Sequence, residues 1–191
     1  MEFAIRTKWN SEFVDHEPIT VALSSTQDGV RVTITAPFFN SPPAPGGKPG
    51  EPFPQLWDYE VVEVFFLNDD DQYVEVELCP HGQHLVLLLN GIRKPVKDEL
   101  PLKFKVTTDG NKWQGEAVIP SDYFPPKVSK FNAYAIHGEG EGRVYEALNP
   151  VPNGAYSNPD FHRLDVFQSI SFQDLLPRNH EMKDLSNIWT S

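Results

Sequence analysis

The sequence predicts an all-β protein, an antiparallel β-sandwich with at most short helical turns. Three observations point there. Period-two alternation of apolar and polar residues recurs along the chain, and sustained helical periodicity is missing. Eighteen prolines and twelve glycines supply frequent turns between short strands. With 191 residues, 39% hydrophobic and 12% aromatic, the chain is long enough to bury a core without staples, and it reads as one sandwich domain over residues 1–191.

Ile19 to Leu23 and Val30 to Thr35 read as strands, turned by Asp28-Gly29. Asn40 to Pro54 holds six prolines and three glycines, so residues 40–55 form a loop. A loop of that length often borders a site, and Pro42-x-x-Pro45 within it offers a polyproline ligand for a protein partner. Trp57 to Leu67 and Tyr73 to Leu78 read as a hairpin across the polar loop Asn68 to Gln72. His84 to Leu89, apolar on both faces, reads as a covered central strand. Leu102 to Thr107, Trp113 to Ile119 and Phe131 to Ile136 continue the pattern, with Asp109-Gly110 as a further turn. Ser121 to Phe124 fits a single helical turn stopped by Pro125-Pro126. Phe161 to Leu176 has room for a short helix, and the chain from about residue 165 reads as irregular.

Pairing Leu67 with Tyr73 in the hairpin sets Phe65 opposite Glu75, Glu63 opposite Glu77 and Val61 opposite Cys79. One face then carries Val62, Val64, Phe66, Val74, Val76 and Leu78, a core surface. The other gathers Glu63, Glu75 and Glu77 beside Tyr59, Phe65 and Tyr73. Like charges directly opposite across strands destabilise a sheet, so such a cluster needs a cation, a ligand, water or a shared proton. Arg93, Arg143, Arg163 and His137 are available counter-charges. A solvated outward carboxylate is the expectation for Glu75, whereas Glu63, flanked by Val61 and Phe65, is as well suited to bind a ligand.

A net charge of -11 argues against nucleic acid and against an anionic membrane surface as partners. Cys79 stands alone, the N-terminal residues lack the pattern of a signal peptide, and no apolar run approaches the ~20 residues that cross a bilayer. A cytoplasmic location is the expectation.

Catalytic and metal motifs are sparse. Cys79, His81 and His84 form one metal knuckle without a second, and read better as a turn than as a zinc site. Asp69, Asp70 and Asp71 at the hairpin tip are hard-oxygen candidates for calcium without the spacing of a helix-loop-helix site. Gly138 to Gly142 is Gly-rich but acidic, and Gly47-Lys48 runs into Pro49, so neither cradles phosphate. There is no Gly-x-Ser-x-Gly elbow, and Cys79 lies in a strand. His137 and His162 lie near acidic residues that would suit acid–base work, and Glu63 with Glu77 would suit glycoside cleavage in a deep cleft.

Nearly the whole chain resembles a eukaryotic protein family known as a conserved open reading frame. The matching stretches are Ala36-Pro37-Phe38-Phe39, Leu56 to Asn68, Glu75 to Leu89, Phe131 to Gly138, Tyr145-Glu146-Ala147-Leu148 and Pro159-Asp160-Phe161-His162. That family has no established activity. Residues Val30 to Leu164 also resemble the family-nine carbohydrate-binding modules and their DOMON-like relatives, through Trp57, Glu60 and Glu63, through Gly115 to Pro120, and through Phe131-Asn132. This resemblance implies a jelly-roll sandwich that holds a sugar between two aromatic rings, often with calcium. Trp57 matches the first ring. The second ring is a Trp in those modules, where this chain has the stretch Tyr145 to Asn149, and Tyr145 or Tyr156 stands in its place.

The expected function is therefore a non-catalytic binding module for a carbohydrate or similar small polar ligand. Its expected site residues are Trp57, Tyr59, Glu63, Glu77, His137, Tyr145 and Arg163. No cofactor is expected, with calcium allowed by analogy. The alternatives are an enzyme using a carboxylate with His137 or His162, and a protein-interaction domain built on the Pro-rich loop.

Overall fold

In the computed structural model, which describes residues 1–176 and 184–190, two antiparallel sheets pack face to face. The strands are β1 (Glu2–Ile5), β2 (Thr7–Lys8), β3 (Ile19–Ser25), β4 (Gly29–Pro37), β5 (Val61–Leu67), β6 (Gln72–Leu78) and β7 (His84–Asn90). After them come β8 (Pro95–Lys97), β9 (Lys103–Asp109), β10 (Lys112–Pro120), β11 (Lys130–His137), β12 (Val144–Ala147) and β13 (Gln168–Ser169). One sheet has the order β1-β3-β4-β10-β9. The larger runs β2-β12-β11-β5-β6-β7-β8, and β13 adds to β11. Helical structure among the described residues is limited to 3-10 turns of three or four residues, and none is long and apolar enough to cross a membrane.

The turns sit where the sequence places them. Gly110, at φ 59°, lies in the left-handed region that a tight hairpin between β9 and β10 requires and that a side chain would resist. The β5–β6 hairpin closes through Asn68, whose side-chain oxygen accepts the N–H groups of Asp70 and Gln72. Its register is the one predicted, with Leu67 opposite Tyr73, Phe65 opposite Glu75 and Glu63 opposite Glu77.

Alternation along these strands gives the large sheet two buried faces. The inner face, with Val62, Val64, Phe66, Val74, Val76 and Leu78, meets Val21, Val32, Ile34, Trp113 and Ile119 of the opposite sheet in the main core. Its aromatic centre is Phe66, in contact with the rings of Phe124, Phe131 and Phe172. The outer face has a core of its own, described with the site below.

The sequence misses the short strands β1, β2, β8, β12 and β13, whose runs of two to four residues are too brief to show a period. The first two belong to different sheets, with only Arg6 between them. The Pro-rich loop is docked rather than free. Gly50 N–H donates to Gly82 O, Gln83 Nε2 donates to Gly47 O, and Phe53 N–H donates to His84 O. Pro45 is buried, so Pro42 and Pro45 are not presented together to a partner. From residue 161 the chain forms 3-10 turns at Leu164–Val166 and Phe172–Leu175. A further 3-10 turn forms at Asn187–Trp189, and residues 177–183 and 191 of the segment expected to be irregular lie outside the described residues.

Candidate functional site

The outer face of β5, β6, β7 and β11 presents Val61, Phe65, Leu67, Tyr73, Leu85, Leu89, Tyr134 and Ile136. The 3-10 turn at Leu56–Asp58 and the segment Pro159 to Phe167 roof it over. Phe161 stacks on Tyr134 with ring centroids 4.0 Å apart, and Phe167 packs edge-on to Phe65. This roof overturns the expectation of a solvated carboxylate at Glu75. Glu63, Glu75 and Glu77 are 2%, 5% and 0% exposed.

Between sheet and roof lies a cavity of about 340 Å³, within the range typical of small-ligand pockets. Glu63, Glu75, Leu87, Leu89 and Ile136 line it from the sheet. Trp57, Arg93, Tyr145, Asp160 and His162 line it from the loops, β12 and the roof. Trp57 is 41% exposed, an uncovered indole beside an otherwise sheltered space.

Burial dominates the electrostatics. It raises Glu63 well above the usual carboxylate range, with Glu75 adding and Arg143 opposing. Glu75 is pushed up to about 8 by burial against the pull of Arg93. Glu77 is raised by burial and then by the charges of Glu63, Glu75 and Asp58. A carboxyl so shifted holds its proton near neutral pH, becoming a hydrogen-bond donor as well as an acceptor. Among the described residues neither Glu77 oxygen has a hydrogen-bond partner, nor does Glu63 Oε1.

His162 is pushed down to about 4, chiefly by burial and then by Arg93. The Tyr73 hydroxyl accepts the Arg93 N–H at 3.2 Å and lies 2.7 Å from His162 Nδ1. The other ring nitrogen of His162, Nε2, lies 3.9 Å from Glu75 Oε2. Asp160 fixes the other side of this group, accepting from Arg93 NH2 at 2.7 Å and from the His162 N–H at 3.0 Å. At the mouth, Arg143 donates to the carbonyls of Trp57 and Asp58 and, through Nε, to the Tyr145 hydroxyl at 3.0 Å. One guanidinium thus positions both aromatic residues.

Of the residues the sequence singles out, Trp57, Glu63 and Tyr145 meet on the cavity wall. Glu77 lies on the same face but off the wall, and Tyr59 packs edge-on to Phe53. Arg163 and Tyr156 pair with each other in a neighbouring groove, where Arg163 also holds Asp165. His137 bonds Glu146 at 2.9 Å beneath the ring of Phe39, away from the cavity. At the hairpin tip, Asp69 is engaged by Lys130 at 2.9 Å and by Ser129. Glu75, Arg93, Asp160 and His162 are the wall residues that the expected site leaves out. Among the described residues, the group of three metal-ligating side chains that converges is His16, His137 and Glu146. Cys79 belongs to the outer core, whereas His84 shares the inner-facing side of β7 with Val86 and Leu88, so the predicted turn does not gather its own ligands.

Fold and cavity together define an antiparallel β-sandwich with a pocket on one sheet face, lined by apolar and ionisable side chains. A solved structure with this architecture is a putative carbohydrate-binding protein from Bacteroides uniformis, with a TM-score of 0.64 over 88% of this chain and 84% of that one. Identity is 14%, so the likeness is one of fold. No family model matches the chain. Among curated proteins it is 57% identical over 180 residues to the UPF0462 protein C4orf33 homolog of Mus musculus, covering 92% of this chain and 94% of that one. It is 52% identical to UPF0462 protein C4orf33 of Homo sapiens and 50% identical to the homolog of Danio rerio, each across 99% of this chain and at least 96% of the relative. The chain belongs to the UPF0462 protein family.

Proposed function

We propose that the cavity beside Trp57 binds a small polyhydroxylated ligand of the carbohydrate class, and that the protein acts as a binding module. The observation that carries this reading is an exposed indole beside a pocket whose buried groups include both donors and acceptors. Sugar hydroxyls each donate and accept, and a protonated Glu75, Arg93, Asp160, His162 and the Tyr145 hydroxyl answer both needs. Apolar C–H faces of a sugar suit the Trp57 and Tyr145 rings, which Arg143 holds in place. The ligand class rests on this lining, because the Bacteroides protein supports the fold alone. Calcium at Asp69, Asp70 and Asp71 belongs to the same proposal as an auxiliary cation, one that would compete with Lys130 for Asp69.

The test is a glycan array followed by calorimetry on the full chain, with and without calcium. Binding that is lost in Trp57→Ala is expected. No ligand above background in either condition would sink the proposal.

A second reading rests on one specific pair. Glu75, protonated near neutral pH, stands 3.9 Å from a neutral His162, an arrangement suited to acid–base chemistry. It predicts turnover of the bound sugar or of a chromogenic glycoside, abolished by Glu75→Gln with binding retained. Binding without turnover decides for the module.

A further inference from the structure

We propose that His16, His137 and Glu146 form a divalent transition-metal site, of the zinc class, that ties the N-terminal loop to the edge of the large sheet. The site is separate from the cavity. Glu146 is on β12, His137 ends β11, and His16 comes from the loop between β2 and β3. Both imidazole Nε2 atoms converge on one oxygen: His16 lies 3.0 Å and His137 2.9 Å from Glu146 Oε1.

The orientation of the His16 ring fits a cation there. His16 Nδ1 lies 2.9 Å from the carbonyl oxygen of Glu17, which only accepts, so the ring proton is assigned to Nδ1. Nε2 is then the ring atom directed at the carboxylate oxygen, 3.0 Å away, with a ligated ion fitting between the two. An Nδ1–H donated to a backbone carbonyl, with Nε2 directed inward, is also how metal-bound histidines are usually oriented.

The second oxygen supplies an independent observation. Glu146 is 0% exposed, and its Oε2 has no hydrogen-bond partner among the described residues. A metal chelated by the carboxylate would engage both oxygens, whereas a proton shared with His16 leaves Oε2 unpaired. Nitrogen and oxygen ligands 2.0–2.1 Å from a tetrahedral zinc stand about 3.3–3.4 Å apart, so the two nitrogen–oxygen separations need open by only a few tenths of an ångström, and all the ligand atoms already lie within 4.8 Å of one another. Phe39 lies parallel to the His137 ring at 3.6 Å and edge-on to His16 at 5.0 Å, shielding one side. The His16 side chain remains 16% exposed, leaving a path for the ion and a position for water.

The experiment uses the full chain without an affinity tag, stripped with EDTA and dialysed. Titration with zinc chloride alone should give one ion per chain and a raised melting temperature. Cobalt(II) should give visible d–d bands that zinc bleaches. Zinc should also slow hydrogen exchange in residues 1–18. His16→Gln and Glu146→Gln should each weaken zinc at least tenfold, while Trp57→Ala leaves it unchanged. Should Glu146→Gln fail to fold, His16→Gln, altered in a surface loop, decides alone. A stripped protein that takes up no zinc or cobalt, or a His16→Gln protein that binds zinc as tightly as the native chain, would overturn the proposal.

Discussion

The two faces of the large sheet are equally buried and chemically opposite. The inner face is a dry interlock of aliphatic and aromatic side chains with no ionisable group on β5 or β6. The outer face, one residue out of phase on the same strands, buries Glu63, Glu75 and Glu77 beneath a roof of loops. Burial on the inner side stabilises the fold directly. Burial on the outer side raises three carboxyls out of their usual range and leaves Glu77 without a partner, a standing cost.

The sharpest contrast comes from Phe66 on the inner face. Phe66→Ala removes a ring packed against three others, and it should lower unfolding stability by about 3–5 kcal/mol in urea denaturation. A loss below 1 kcal/mol would mean the inner face is not the stabilising one.

Glu75 should give the outer face a pH signature on the order of a few kcal/mol. Its pKa is 4.5 in the unfolded chain and about 8 in the folded one, so its contribution is whole below pH 4.5 and lost as pH rises through 8. Glu63 and Glu77 act in the same direction. His162, at about 4 against 6.5, contributes above pH 6.5 and loses that contribution as pH falls through 4. The effects oppose between pH 4.5 and 6.5, and above 6.5 the carboxyl effect remains. Melting temperature should therefore fall between pH 6.5 and 8.5, and Glu75→Gln should flatten that limb. A native profile flat from pH 6.5 to 8.5 would refute the buried-acid picture.

Glu77→Leu replaces an unpartnered carboxyl with a side chain of similar size, and a gain of about 1–3 kcal/mol at pH 8 is expected from chemical denaturation. Destabilisation would show that the carboxyl is held by something the site supplies. Trp57→Ala should change stability by less than about 0.5 kcal/mol, because the indole is half in solvent, while removing ligand binding in calorimetry. Equal effects on both measurements would make Trp57 a packing residue.

The hairpin was legible in the sequence because its signals are local. Period two fixes which residues share a face, and the polar loop fixes the register, so Glu63 opposite Glu77 follows from spacing alone. The roof was not legible. Pro159 to Phe167 has no period, and nothing local shows that Phe161 lies on Tyr134 rather than in solvent. Without a roof, Glu75 reads as an ordinary surface acid and Arg93, Asp160 and His162 have no reason to meet. The His16–Glu146 contact was hidden by distance along the chain, since 130 residues separate the pair, and by β12 being only four residues long.

That separation has a consequence for synthesis. β1 and β2 enter different sheets with a single residue between them, and the hydroxyl of Thr7 donates to the carbonyl of Ala147, 140 residues later. At about 5–20 residues per second, β2 waits roughly 7–28 s on the ribosome for the strand it will join, while β1 finds β3 almost at once. Strand β1 thus pairs with a near neighbour in sequence, whereas β2 closes an edge of the larger sheet against a strand made much later.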